Sequence, residues 1–156
     1  MPPTISAFDP RQTDQVIAVA LRTLAPVFET MRPNVLPYVY DAFYPEGWQE
    51  RQTQDVRDFL GGANNQIFVA IDNDRVVGFV GAVFHPDDSM GEITIVAVDP
   101  DHQRTGLATM LMDEASAAMR AMGASILMVE TGGDPGHAGA RATYERFGFE
   151  GWPVAR

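Results

Sequence analysis

The sequence predicts a mixed α/β fold: a central β-sheet with both antiparallel and parallel strands, flanked by helices, in one domain spanning residues 1–156. Three observations carry this expectation. Apolar residues recur at helical spacing up to about residue 60 and at strand spacing after residue 65. A hairpin is then followed by the order strand–helix–strand–helix, and a strand–helix–strand unit brings its second strand back parallel to the first. The chain has 156 residues, 46% of them hydrophobic. A chain of that length removes roughly 68–70% of its unfolded surface from water and needs no disulfide or structural metal to fold.

The first helix is expected over 14–28, capped by Thr13, with Val16, Ile17, Ala20, Leu21, Leu24, Val27 and Phe28 at helical spacing. Pro26 should bend or end it. A short aromatic element follows from Asn34 to Tyr44, with Pro37 in its first turn and Pro45-Glu46-Gly47 after it. A third helix covers 49–60, turning Val56, Phe59 and Leu60 inward and closing at Gly61-Gly62.

Gln66–Ile71 and Val76–Phe84 then read as a hairpin around Asp72-Asn73-Asp74. In the next strand, Gly91–Val98, strict alternation puts Glu92, Thr94, Val96 and Val98 on one face and Ile93, Ile95 and Ala97 on the other. A helix over 106–122 carries Leu107, Leu111, Ala115, Ala118 and Met122 as its apolar stripe, leaving Asp113, Glu114 and Arg120 wet. Ser125–Glu130 is a strand. Asp134 caps and Pro135 opens a last helix that runs to Phe147 and stops at Gly148. Residues 149–156 leave room for one short final strand, and a homodimer partner is one way to complete that edge of the sheet.

Composition excludes several classes of function. The chain has no cysteine, which removes disulfide frameworks, thiolate zinc sites and Cys nucleophiles. His85 and His102 lack the partner spacing for a metal site and read as loop residues. A net charge of −10, with scattered arginines and no lysine, opposes the phosphate backbone of nucleic acids. No apolar run is long enough to span a membrane, and the opening MPPTISAFDP has no signal-peptide pattern, so a cytoplasmic location is expected.

The most informative segment is Val98-Asp-Pro-Asp-His-Gln-Arg-Thr-Gly-Leu-Ala-Thr109, which ends a strand and opens a long amphipathic helix. The first amides of a helix lack internal partners and sit at the positive end of its dipole. A phosphate or pyrophosphate can accept several of them together. Gly106 removes a side chain where an anion approaches, Ala108 keeps the next turn narrow, and Arg104, Thr105 and Thr109 add a charge and hydroxyls. The plain alternative is a strand-to-helix turn in which Gly106 only eases the backbone. An ATP-type loop is excluded because it needs a lysine, and a phosphotransferase lacks a magnesium carboxylate pair as well.

Gln103-Arg-Thr-Gly-Leu-Ala108 resembles the Q/R-x-x-G-x-G/A signature of the GCN5-related N-acetyltransferase (GNAT) family. Tyr144-Glu-Arg-Phe-Gly-Phe149 resembles that family's Y-x-x-x-G-F segment. The resemblance implies the acyl-CoA N-acyltransferase fold and acetyl-CoA as donor. It implies that the amides of Gln103, Thr105, Gly106, Leu107 and Ala108 bind the pyrophosphate, with Arg104 beside it. It further implies that the backbone of Val96 and Val98 pairs with the pantetheine arm, which enters where this strand and the strand 125–130 part. The family often has an Asn near the position of His137, and here an imidazole would take over that contact.

Acetyl transfer to an amine needs no metal and no covalent nucleophile. An amide near Val96 can stabilise the oxyanion formed on attack. A base must take the amine proton and an acid must meet the departing thiolate. The resemblance assigns the acid role to Tyr144, which shares a helix face with His137 and Arg141, against the alternative of an ordinary half-buried tyrosine. Glu92 is the candidate base, directly or through a water, with Glu130 next. Tyr38, Tyr40, Phe43, Tyr44 and Trp48 either wall an acceptor pocket or belong to the core, and Asp41, Glu46 and Glu50 would attract a cationic amine there.

The leading reading is an N-acetyltransferase acting on a small-molecule amine. A protein or peptide amine is the alternative within the enzyme class. The alternative outside it is a non-catalytic acyl-CoA-binding or sensing module.

Overall fold

The computed structural model describes residues 2–131 and 137–152. Among the described residues five strands form one sheet in the order β1-β2-β3-β4-β5: β1 is Thr4–Ala7, β2 Asn65–Asp72, β3 Arg75–His85, β4 Met90–Val98 and β5 Ile126–Val129. The first three junctions are antiparallel and β4–β5 is parallel, giving the mixed sheet. The helices are α1 (Thr13–Met31), α2 (Pro37–Phe43), α3 (Trp48–Leu60), α4 (Leu107–Ala121) and α5 (Ala138–Phe147).

The helices divide between the two faces of the sheet. On one, α1 and α3 bury Val16, Ile17, Val19, Ala20, Val56 and Leu60 against Val69, Val76, Phe79 and Ala97. On the other, α4 buries Leu107, Leu111, Met112, Ala115 and Met119 against Val77, Val80, Ala82, Ile93 and Val98. The buried stripe of α4 thus includes Met112 and Met119, whereas Met122, expected inside, is an exposed residue at the C-cap. At about 25 cal/mol per Å² of apolar area, this two-sided burial dominates the stability of the domain. It also makes the positions of α1 and α4 relative to β4 rigid.

Most local expectations hold and several fail. The hairpin turns through Asn73 and Asp74, with φ of 50° and 62°, the paired positive values of a two-residue loop that matches strand twist. The helix over residues 48–60 closes at Gly61, and α5 stops at Gly148 with φ 121°. The first failure is β1, not anticipated because four residues, TISA, carry too short a pattern. It takes the edge beside β2. Thr13 does not cap α1. It is the first residue of the helix, whose N-cap is Gln12 without a side-chain bond; Asp9 caps the short 3-10 turn before it, and the Thr13 hydroxyl donates to the Pro10 carbonyl at 2.7 Å. Pro26 does not end α1 either. The helix continues to Met31, because the missing N–H removes one bond while Phe28 beyond it is buried.

A further difference matters most. The β3–β4 register shifts between Gly81 and Ala82: Gly81 pairs with Ile95 but Ala82 with Ile93, so Thr94 is an extra residue, a β-bulge. The Thr94 hydroxyl donates to the Gly81 carbonyl at 2.9 Å and pins the bulge. Strict alternation therefore breaks at Thr94. Glu92, opposite Val83, lies on the α1/α3 face together with Ile95 and Ala97, while Ile93, Val96 and Val98 pack beneath α4. Glu92 does not share a face with Val96 and Val98.

Residues 149–152 form no strand, and the rest of the expected final strand lies outside the described residues, as do Asp134 and Pro135.

Candidate active site

β4 and β5 pair from Met90↔Ile126 to Ile93↔Val129 and no further. Past Thr94 the two strands part, as the sequence leads one to expect. The Asp99 amide donates to the Val77 carbonyl at 2.8 Å. Antiparallel pairing alternates, so Ala97 and Ile95 also turn their backbone groups toward β3, and Val96 and Val98 turn theirs toward the gap. Among the described residues no strand meets Val96 and Val98 there. The Val98 carbonyl is nevertheless taken, by the Thr23 hydroxyl at 3.2 Å and the Gln103 amide nitrogen at 3.1 Å. The gap is thus left with the amide of Val98 and both backbone groups of Val96.

The same strand delivers the chain to α4. Asp99 is buried and accepts from the Asp101 amide at 2.9 Å and from Arg22 of α1. His102 follows in a 3-10 turn, with Nε2 3.2 Å from Asp72 and Nδ1 3.7 Å from Asp99. These contacts brace the turn, and beyond it the backbone opens. Gln103 is extended, Arg104 has φ +63°, and Gly106 takes φ +84° at the N-cap of α4 with no side-chain cap. Among the described residues a Cβ built on Gly106 meets nothing within 4 Å, and they leave this space open.

The leading amides of α4, from Leu107 through Ala108 and Thr109, face that space without a capping side chain. Leu107 anchors the turn with its buried side chain, while Arg104, Thr105 and Thr109 are exposed. The Thr105 hydroxyl donates to the His102 carbonyl at 2.6 Å, so it braces the loop and does not offer its proton outward. The residues present fit a bound pyrophosphate: open amides, a positive helix end, a φ that favours glycine and an arginine at the rim.

Tyr144 on α5 packs with the α4-side cluster and meets Phe149 edge-on at 6.0 Å. Burial pushes its phenol above the ordinary value of 10.0, so the hydroxyl keeps its proton at neutral pH. His137 stands at the N-cap of α5. Tyr144 thus belongs to the α4 side of the sheet and Glu92 to the α1/α3 side. The gap beside Val96 lies between those two faces.

Glu92 is partly buried and its Oε1 lies 2.8 Å from Nε2 of His85. His85 is the last residue of β3, not a loop residue. The strand expected over Val76–Phe84 stops one residue short of it, and only the strand register brings it to Glu92. Glu130 is exposed just past the end of β5.

The aromatic set divides. Trp48 stacks on Phe28 of α1 at 4.6 Å, and Tyr44 meets Phe28 edge-on at 5.3 Å and Tyr40 at 5.1 Å. Tyr40 is buried, with the Arg32 guanidinium over its ring at 5.1 Å. Tyr40, Tyr44 and Trp48 therefore hold α2 and α3 to α1, whereas Tyr38 and Phe43 project outward at 72% and 60% exposure. A cavity of about 200 Å³ is lined by Arg32, Val35, Pro37, Tyr40 and Asp41. A larger hollow of about 320 Å³ lies between α4 and the start of β5, at the opposite end of β5 from the gap.

Among the described residues no group of three His, Asp or Glu side chains is placed to hold a metal ion, and no helix is long and apolar enough to cross a membrane.

The model of the acetyltransferase (GNAT) family matches residues 35–149. A mycothiol acetyltransferase from Rhodococcus jostii (strain RHA1) is 30% identical over 131 residues, covering 78% of this chain and 41% of that protein. The chain thus spans about two fifths of the length of that relative. N-alpha-acetyltransferase 30 from Schizosaccharomyces pombe is 35% identical over 88 residues, covering 53% of this chain and 55% of that protein.

Among solved structures, a Desulfovibrio desulfuricans protein described as a GNAT-family acetyltransferase superposes with a TM-score of 0.72 at 22% identity, over 97% of this chain and 87% of its own. The aminoglycoside acetyltransferase AAC(6')-Iy, in complex with a bisubstrate analogue, superposes with a TM-score of 0.71 at 12% identity, over 100% and 96%. At these identities the likeness is one of fold: a mixed sheet flanked by helices.

Proposed function

The chain belongs to the GNAT family of acetyltransferases, and from that premise we propose that residues 1–156 form one domain that moves the acetyl group of acetyl-CoA to the amine of a small molecule. One observation carries the reading. The unpaired β4 backbone at Val96 and Val98 and the uncapped start of α4 at Gly106 are joined by a single braced turn. A long ligand with a diphosphate in its middle and an amide-bearing arm matches that pairing of sites. The names of relatives support it: mycothiol and aminoglycoside acetyltransferases, the latter held with a CoA-bearing analogue.

In this reading the amides of residues 103–108 bind the pyrophosphate, with Arg104 and Thr109 at its rim. Val96 and Val98 pair with the pantetheine arm, with His137 beside it. Acetyl-CoA supplies an activated acyl group, and the protein supplies charge and proton management. The Val96 amide faces the carbonyl oxygen that gains negative charge. Glu92, on the α1/α3 face, takes the proton lost by the amine, directly or through a water. Tyr144, on the α4 face and protonated, gives its proton to the departing sulfur. Placing base and acid on opposite faces of the sheet lets the amine arrive on one side as the thiol leaves on the other.

We assign the acceptor to α2, which carries the exposed Tyr38 and Asp41, and to Glu130 just past β5. Tyr40, Tyr44 and Trp48 shape this region from behind. The acidic chain favours a cationic acceptor. A second reading, transfer to a peptide amine, draws on the likeness to the S. pombe N-alpha-acetyltransferase.

The test is CoA release measured against a panel of small amines and short peptides. Turnover with small amines supports the proposal and turnover with peptides alone supports the second reading. CoA binding without turnover on either set would leave a sensing module.

A further inference from the structure

The base of the proposed reaction has a partner. Val83 stands opposite Glu92 and His85 opposite Met90, so His85 and Glu92 are diagonal neighbours on one face of the β3–β4 pair. Diagonal neighbours in an antiparallel pair lie within reach of long side chains. Here Nε2 of His85 comes to 2.8 Å from Oε1 of Glu92. Among the described residues it is the hydrogen bond that each of these two side chains makes.

The face they share is the one that carries α1 and α3, from which the acceptor is proposed to arrive. Gly81, four residues before His85 on β3, lies so close under α3 that a Cβ there would stand 2.2 Å from Cε1 of Phe59. Glu92 sits two residues before the Thr94 bulge, at the point where β4 and β5 begin to part. A carboxylate acting as a base is ionised, and an ionised carboxylate only accepts hydrogen bonds. The shared hydrogen therefore belongs to His85, and Nε2 carries it whether the ring is neutral or charged. With Oε1 engaged, Oε2 is the oxygen left to work.

We propose that His85 is a positioning residue for acetyl transfer: its Nε2–H holds Oε1 of Glu92, fixing the carboxylate in one rotamer with Oε2 turned to receive the amine proton. The inference rests on the acetyl-transfer reading. In the balanced step the amine nitrogen forms a bond to the acetyl carbon and the carbon–sulfur bond breaks. Before attack, Oε2 of Glu92 takes one proton from the ammonium form of the acceptor, directly or through a water; on attack the second proton of nitrogen passes to water, and the sulfur takes a proton from Tyr144. Exchange with water then resets both groups. His85 neither gains nor loses a proton.

The experiment compares His85→Ala and His85→Gln, each alone and combined with Glu92→Gln, in the intact chain with the best amine of the panel. His85→Ala is expected to lower kcat about 10-fold, a loss typical of a loosened catalytic group. CoA affinity and the KM for acetyl-CoA should stay within about twofold of the wild type. His85→Gln keeps an N–H donor and should recover most of the rate. With Glu92→Gln already in place, His85→Ala should cost nothing further, because it acts only through that carboxylate.

A wild-type kcat in His85→Ala would overturn the inference, as would a loss that adds in full to that of Glu92→Gln. A wild-type chain that binds CoA but acetylates no amine would overturn the acetyl-transfer reading itself, and the inference with it. An active wild type with an indifferent His85 would overturn the inference alone.

Discussion

Arg22 of α1 and Asp99 at the end of β4, 77 residues apart in sequence, form a salt bridge at the turn that leads into α4. Arg22 also reaches Asp101 at 3.2 Å, and its neighbour Thr23 donates to the Val98 carbonyl at 3.2 Å. Two consecutive residues of α1 therefore hold the junction between the β4 backbone and the anion-binding loop. The core on one face of the sheet is thereby coupled to the ligand site beside α4.

Arg22→Ala leaves the buried Asp99 carboxylate without its guanidinium. The expected cost is about 1–3 kcal/mol, that of a buried acceptor losing a charged partner. It should fall short of a fully buried pair because the Arg22 side chain is itself 47% exposed. CoA affinity should fall several-fold as the loop loosens. Urea denaturation and calorimetry with CoA check both. No change in either would detach this pair from the loop.

Gly106→Val acts in two ways. The left-handed φ of +84° disfavours any side chain, by roughly 1–2 kcal/mol. The described residues leave room for the added Cβ, so the variant should remain folded. The new side chain would stand where the pyrophosphate is proposed to bind. CoA binding should be lost in Gly106→Val and weakened in Gly106→Ala, by calorimetry on folded protein. Equal binding in both variants and the wild type would place the diphosphate elsewhere.

Tyr144→Phe should lower turnover by about 10–10³-fold, near the usual contribution of proton-transfer catalysis, with little effect on CoA affinity. The alkaline limb of kcat due to this phenol should fall above 10.0, since burial raises it from that value. The same shift sets a stability effect whose sign is fixed. The folded form holds the proton more tightly than the unfolded chain, so this contribution is intact below pH 10.0 and is lost as pH rises through the raised value. The Phe variant should lack that alkaline loss in denaturation curves taken against pH.

Glu92→Gln removes the proposed base without changing the size of the side chain. Activity should fall mainly at neutral pH, where a primary amine is protonated, and recover in part at high pH, where the amine has already lost its proton. Rate profiles against pH for the two proteins decide this. A loss of constant size across the range would assign the base elsewhere.

Local patterns made much of this legible in the sequence. The hairpin at Asn73-Asp74, the Gly106 turn and the stop at Gly148 each depend on neighbours a few residues away, and the parallel β4–β5 pair follows from the order of the elements. What remained hidden depends on one inserted residue or on contacts across the fold. Thr94 looks like any strand residue, yet it shifts Glu92 to the opposite face from Val96. His85 meets Glu92 only through strand register, and Arg22 meets Asp99 only because α1 crosses β4. The aromatic residues of α2 and α3 carry no mark that separates Trp48, which stacks on Phe28, from the exposed Tyr38.

The most direct measurement follows the backbone amide resonances of the protein while CoA is titrated in. Binding at the β4–α4 junction predicts the largest shifts at Val96, Val98 and Arg104 to Thr109, with the far end of β5 and the core of α1 unmoved. Saturable CoA binding that leaves Gly106, Leu107 and Ala108 undisturbed would contradict it.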